Sequence, residues 1–174
     1  MIVLSGWVTR SPLATRISAI PTPVQYNKAI MYRYVVDEAE AARYAYTLRD
    51  IVEQSPGWQG RFNPDDAIAK WDAEYFEAIV VDEEYLVLYA IESPWYNANI
   101  VEVWELFICR IGKGVGGKGK ALQGIVEALE DIAKKNNASR IVVGTSLPKN
   151  NKALSRLYQR LGFEVSAITL TKEL

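Results

Sequence analysis

Positions 112–120, GKGVGGKGK, hold five glycines and three lysines in nine residues, between a strand-like and a helix-like segment. Glycines in such a place let several backbone N–H groups converge at a helix N-terminus, whose dipole favours an anion, so a phosphate-type ligand is the natural occupant. A carboxylate lies just upstream. Alternation along Val101, Val103, Glu105, Phe107 and Cys109 places Glu105 on an otherwise apolar strand face. A desolvated carboxylate has a raised pKa and suits a general base, whereas an exposed face or a neighbouring lysine would make Glu105 an ordinary surface acid. Glu102 points to the opposite face and is the weaker candidate. Cys109 has Arg110 as its nearest cation, facing the other way, and reads as a buried thiol rather than a nucleophile. The chain has no histidine and one cysteine. That composition excludes Ser-His-Asp, Cys-His and zincin chemistry, Cys-based zinc sites and internal disulfides.

These groups must be held by a chain of 174 residues, one domain of ordinary size with core enough to do without staples. With 49% hydrophobic residues, 24% charged residues and a net charge of −1, the composition is neither disordered nor marked by a basic nucleic-acid footprint. No apolar run reaches the ~18–20 residues that span a bilayer. The opening MIVLSGWV lacks a preceding basic segment and a small-residue cleavage site, so the expectation is a mature N-terminus in a reducing, cytoplasm-like compartment.

Residues 1–30 are expected to form an extended arm, with three prolines between positions 9 and 28 and no sustained periodicity. From residue 31 to 174 the pattern reads as one domain. A Tyr- and Val-rich strand over 31–36 ends where Asp37 can cap a helix running to about Gln54, and Asn63-Pro64-Asp65-Asp66 starts a second helix. Strands follow at 78–81, 85–91 and 100–109 as an antiparallel meander. A helix at 120–136 carries Leu122, Ile125, Val126, Leu129 and Ile132 at helical spacing. Residues 140–145 read as a buried strand, 151–161 as a helix ended by Gly162, and 163–174 as a last alternating strand.

Two phosphate-binding motifs overlap the glycines imperfectly. Gly114, Gly119 and Lys120 match a P-loop, but Ala121 stands where a magnesium-binding Ser or Thr belongs. The dinucleotide fingerprint fits at Gly112, Gly114 and Gly117 or at Gly114, Gly116 and Gly119, but it should open the fold and have an acid about 20 residues on.

The third match is more extensive. Gly117-Lys118-Gly119 followed by Lys120-Ala121-Leu122 resembles the second half of the acyl-CoA loop of the GCN5-related N-acetyltransferase (GNAT) family. Gly114 stands where that family usually has Arg or Gln, and Lys113 and Lys118 offer cationic substitutes. Asn150, Ala153, Leu157, Tyr158, Gly162 and Phe163 reproduce its second signature after the next strand, and the element order agrees over about residues 31–174. The resemblance implies an α/β (α+β) GNAT fold: a central mixed, mostly antiparallel sheet flanked by about four helices, with strands splayed at the CoA site. It implies acetyl-CoA or another acyl-CoA as cofactor and direct transfer to a primary amine; the charge balance and the lack of a long apolar run lead to the separate expectation of no nucleic-acid or membrane partner. Phe107, Ile108 and Cys109 would lie nearest the pantetheine arm. Lys113, Gly114, Val115, Gly116, Gly117, Lys118, Gly119 and Lys120 would cradle the pyrophosphate, and Asn150, Ala153 and Arg156 would lie along the far side of CoA. Tyr158 would protonate the leaving thiolate, with Glu105, which resembles the Glu of histone-type members, as base; otherwise Tyr158 packs with Leu154 and Leu161. The loop 55–62, with Trp58 and Phe62, would shape the acceptor pocket. A single strand's length after Phe163 leaves either an open groove for a peptide, protein or bulky amine, or a homo-oligomer in which a second subunit supplies the wall. The alternative function is a catalytically weak GNAT-fold interaction module.

Overall fold

The structure, a computed structural model, describes residues 32–55, 59–112, 118–144 and 151–166. The arm expected over residues 1–30 and positions 167–174 of the expected last strand lie outside them. The elements run β1 (Tyr32–Tyr34), α1 (Glu38–Val52), α2 (Pro64–Asp72), β2 (Glu77–Val81), β3 (Tyr85–Glu92), β4 (Glu102–Arg110), α3 (Lys118–Lys135), β5 (Arg140–Val142) and α4 (Asn151–Arg160). No helix among the described residues is long and apolar enough to cross a membrane.

The helix starts follow from local chemistry. Asp37 and Asn63 adopt extended backbone, and their side chains accept hydrogen bonds from the backbone N–H groups of Glu40 and Asp65. Pro64 fills the first position of α2, where no N–H is needed. The β2–β3 hairpin turns through Asp82 and Glu83, both at positive φ, and closes with Glu84 N–H donating to Val81 C=O at 3.0 Å.

The five strands form one sheet in the order β1-β2-β3-β4-β5, antiparallel except for the parallel pair β4 and β5. One face buries Val35, Ala78, Val80 and Leu86 against Tyr44 and Leu48 of α1. The other buries Ile79, Val81, Val87, Tyr89 and Val103 against Ile125, Leu129 and Ile132 of α3. Tyr158 of α4 packs with Leu122 and Val126 beside that second layer. Lys135 Nζ donates to the Tyr32 hydroxyl at 2.9 Å, and that hydroxyl donates to Asp131, which ties the end of α3 to the sheet's first strand.

Two irregularities of β4 matter most. Tyr89 pairs with Glu105 and Leu88 with Phe107, so Leu106 is an extra residue and β4 carries a bulge. Side-chain phase flips across it: Val103 belongs to the α3 face, while Phe107 and Cys109 pack into the α1 face and Ile108 takes the α3 side. The expected single apolar row from Val101 through Cys109 is therefore wrong. The second irregularity is a divergence. Pairing of β4 with β5 covers only Glu102–Trp104 against Arg140–Val142, so the expected strand 140–145 is shortened and, among the described residues, β4 has no partner on that side from Glu105 onward. The expected last strand also needs correction at its start, since residues 163–166 adopt no strand; Leu161, Gly162 and Phe163 are instead engaged in capping α4.

Gly112 ends the strand for a steric reason. Its N–H and that of Ile111 both donate to Glu84 C=O, and a Cβ at position 112 would sit 2.8 Å from Glu83 O and 3.0 Å from Glu84 Cα. These are backbone atoms of the hairpin turn and do not yield cheaply. Gly112→Ala is expected to cost about 1–3 kcal/mol, read as a lower urea midpoint with an unchanged slope. An unchanged midpoint would show that the turn gives way freely.

Candidate active site

The apex of the divergence between β4 and β5 is where the two chemistry-bearing side chains meet. Glu105 is the first β4 residue past the last β5 pair, and the Tyr158 hydroxyl donates to its Oε2 at 2.7 Å. The backbone of Gly144, just beyond β5, lies near the same carboxylate and favours its charged form. Burial dominates its electrostatics: desolvation pushes the Glu105 pKa up to about 7, against the opposing pull of the Tyr158 hydrogen bond and the Gly144 backbone. Tyr158 is buried, at 3% exposure, and its phenol is pushed well above the usual range by burial and then by the adjacent carboxylate. The pair thus consists of a carboxylate poised to exchange a proton near neutrality and a phenol that stays protonated.

Tyr158 is aimed by the end of its helix. Phe163 N–H donates to Tyr158 C=O at 3.1 Å and Gly162 N–H to Gln159 C=O at 3.2 Å, with Gly162 at φ +92°. This is a left-handed helix cap, in which glycine is favoured. It folds the Phe163 ring edge-on to the Tyr158 ring at 5.3 Å, so the Gly-Phe pair fixes the tyrosine's lateral position.

The other sequence-derived residues separate into groups. Phe107 and Cys109 follow the bulge onto the α1 face, whereas Ile108 stays on the side of Tyr158. Burial pushes the Cys109 thiol up to about 12, so it is a core group and not a nucleophile. Phe62, expected at the acceptor pocket, is partly buried against the cluster that holds Phe107 and Cys109. Ala153 and Arg156 lie exposed on the outer side of α4. Trp58, Lys113, Gly114, Val115, Gly116, Gly117 and Asn150 lie outside the described residues, and Lys118, Gly119 and Lys120 form the first turn of α3. The Gly144 support and the direct contact between Glu105 and Tyr158 had no signal in the sequence, because their partners are distant along the chain.

Glu102 takes a structural position instead. It is 1% exposed, its Oε1 pairs with Arg140 Nη2 at 2.6 Å, and its Oε2 is buried without a hydrogen-bond partner. Removing Arg140 would strand a buried charge. Arg140→Met is expected to cost about 3 kcal/mol, and adding Glu102→Gln should restore most of that loss in thermal denaturation. Equal stability of Arg140→Met and wild type would show that the pair contributes nothing.

Among the described residues the β4 backbone after Trp104 has no strand partner on the β5 side, and the Glu105–Tyr158 pair lies at the start of that stretch. Mixed topology, the bulged and diverging β4, and helices α3 and α4 beside the opening define the fold of the GNAT acetyltransferases. The chain has that fold. No family model matches its sequence, and no curated protein is similar to it at sequence level. Similar solved structures include an aminoglycoside acetyltransferase from an uncultured soil metagenomic sample, with 14% identity, TM-score 0.60, and coverage of 83% of this chain and 98% of that one. A ribosomal-protein-alanine N-acetyltransferase from Brucella melitensis biovar Abortus 2308 is similar at 15% identity and TM-score 0.61, over 84% of this chain and 99% of that one. A predicted acetyltransferase from Clostridium acetobutylicum, solved with acetyl-CoA, is similar at 13% identity and TM-score 0.57, over 83% and 96%.

Proposed function

We propose that this protein is an acyl-CoA-dependent N-acyltransferase that moves an acetyl group directly from acetyl-CoA to a primary amine. The observation that carries this reading is the hydrogen bond from the Tyr158 hydroxyl to the Glu105 carboxylate just past the last β4–β5 pair, where desolvation raises the carboxyl pKa. Acyl-CoA, when bound, supplies the acyl group and a thiolate leaving group. Glu105 takes a proton from the attacking nitrogen, and Tyr158 gives one to the departing sulfur. The β4 backbone past Trp104 would hold the pantetheine amides, the loop 113–117 and the first turn of α3 the pyrophosphate, and Ala153 and Arg156 the far side of the cofactor. The similar structures named for aminoglycoside and ribosomal-protein-alanine acetylation support an amine acceptor.

Calorimetric titration tests the cofactor, with acetyl-CoA in one arm and ATP with magnesium in the other. Micromolar binding of acetyl-CoA alone is expected, followed by CoA release in the presence of a primary amine from a panel containing an aminoglycoside and an alanyl peptide. Absence of acetyl-CoA binding would overturn the reading in favour of the interaction module, and magnesium-dependent ATP binding would favour the P-loop.

A further inference from the structure

Resting on that acyltransferase reading, we infer that Glu105 and Tyr158 work as one proton-relay couple, in which the tyrosine that serves the leaving group also holds the base and is re-protonated by it. The two oxygens are 2.7 Å apart and share one hydrogen. Each is otherwise committed or enclosed. Leu122 and Val126 of α3 and the Phe163 ring pack around Tyr158. Facing Glu105 across the sheet is Tyr89 of β3, whose hydroxyl donates to Glu77 at 2.5 Å. From the β5 side comes the Gly144 backbone, and among the described residues no charged side chain contributes to the Glu105 shift.

This enclosure creates a problem that the contact solves. A Tyr158 that has given its proton to sulfur becomes a buried phenolate, which burial strongly disfavours. Its hydrogen-bonded neighbour is then the newly protonated Glu105. The ammonium acceptor releases one proton to solvent before attack. After attack, the N–H bond of the tetrahedral adduct breaks and an O–H bond forms on Glu105. The C–S bond breaks while the Tyr158 O–H proton moves to sulfur. Finally the Glu105 O–H breaks and the Tyr158 O–H re-forms, leaving an amide, CoA thiol and the original pair. Nothing is oxidised or reduced, and of the two protons lost from nitrogen one ends on sulfur and one in solvent.

The contact can be tested without substrate by infrared titration of the protonated-carboxyl stretch, with Glu105→Gln identifying the band. In Tyr158→Phe, which keeps the ring and its packing, loss of a hydrogen bond to the charged form should raise the Glu105 midpoint by about one pH unit, a roughly tenfold change in proton affinity. With any amine that the acceptor panel identifies, the acidic limb of kcat/KM should move upward with the infrared midpoint. An unmoved midpoint overturns the couple whatever the transfer assay shows. A moved midpoint with an unmoved limb overturns the relay and leaves Tyr158 as an acid alone. A wild-type protein that transfers no acetyl group overturns the acyltransferase reading, a result separate from the titration.

Discussion

Glu105→Gln is expected to lower acetyl transfer steeply and, above neutral pH, to make the protein more stable. The carboxyl is held at about 7 in the folded protein against an ordinary value of 4.5, chiefly by burial. A folded-state acid with a raised pKa binds its proton more tightly than the unfolded chain does. Folding therefore favours the neutral form: the cost of the buried charge is absent below about pH 4.5, grows between 4.5 and 7, and is full above 7. At 1.36 kcal/mol per pKa unit the ceiling is about 3 kcal/mol, and about 1–3 kcal/mol is the expected gain at pH 8. Glutamine removes the charge yet keeps an oxygen to accept the Tyr158 hydrogen bond. Urea denaturation of both proteins at pH 5 and pH 8 should show curves that nearly coincide at the lower pH and separate at the higher one. Transfer should fall by at least ~100-fold. An equal gap at both pH values would mean that the carboxylate is not desolvated.

Tyr158→Phe is expected to lower kcat by about 10²–10⁴-fold while leaving acetyl-CoA affinity within about twofold of wild type. The hydroxyl touches Glu105 and not the β4 backbone that would hold the cofactor's arm, and the ring's contacts with Phe163, Leu122 and Val126 survive in phenylalanine. The buried hydroxyl's hydrogen bond contributes only about 1 kcal/mol net, so the thermal midpoint should drop modestly. Single-turnover release of CoA separates this from a binding defect. A kcat within a few-fold of wild type would remove Tyr158 from the mechanism. Weakened acetyl-CoA binding at normal kcat would instead give the residue a cofactor-packing role.

The parts of the fold set by local chemistry were readable in the residues themselves. Asp37 and Asn63-Pro64 announced α1 and α2 because capping needs only neighbours, and the apolar spacing of Leu122 through Ile132 announced α3 because one face of it meets the sheet. Tyr158 and Glu105 could each be named as candidates, but their mutual hydrogen bond joins residues 53 apart and depends on where α4 docks. The phase of β4 was not readable. Leu106 is as apolar as its neighbours, with no glycine or proline to mark a bulge, so simple alternation assigned Phe107 and Cys109 to the face of Glu105. Burial of Glu102 was equally silent, because a carboxylate beside Val101 and Val103 gives no hint of the arginine that meets it from β5.

The bulge at Leu106 is, in effect, a reading-frame shift written into a strand. Upstream of it, odd positions face α3 and α4; downstream, even positions do, as Val103 and Ile108 illustrate. An alignment that runs through position 106 without a gap, against a strand lacking the extra residue, exchanges inside for outside over the rest of β4. Deleting Leu106 would remove the bulge and leave Phe107 opposite Leu88 and Ile108 opposite Val87, so the strand beyond it would keep its present phase. The one inserted residue thus decides which numbering parity of β4 meets each layer of helices, with Glu105 on the α3 side and Phe107 and Cys109 on the α1 side.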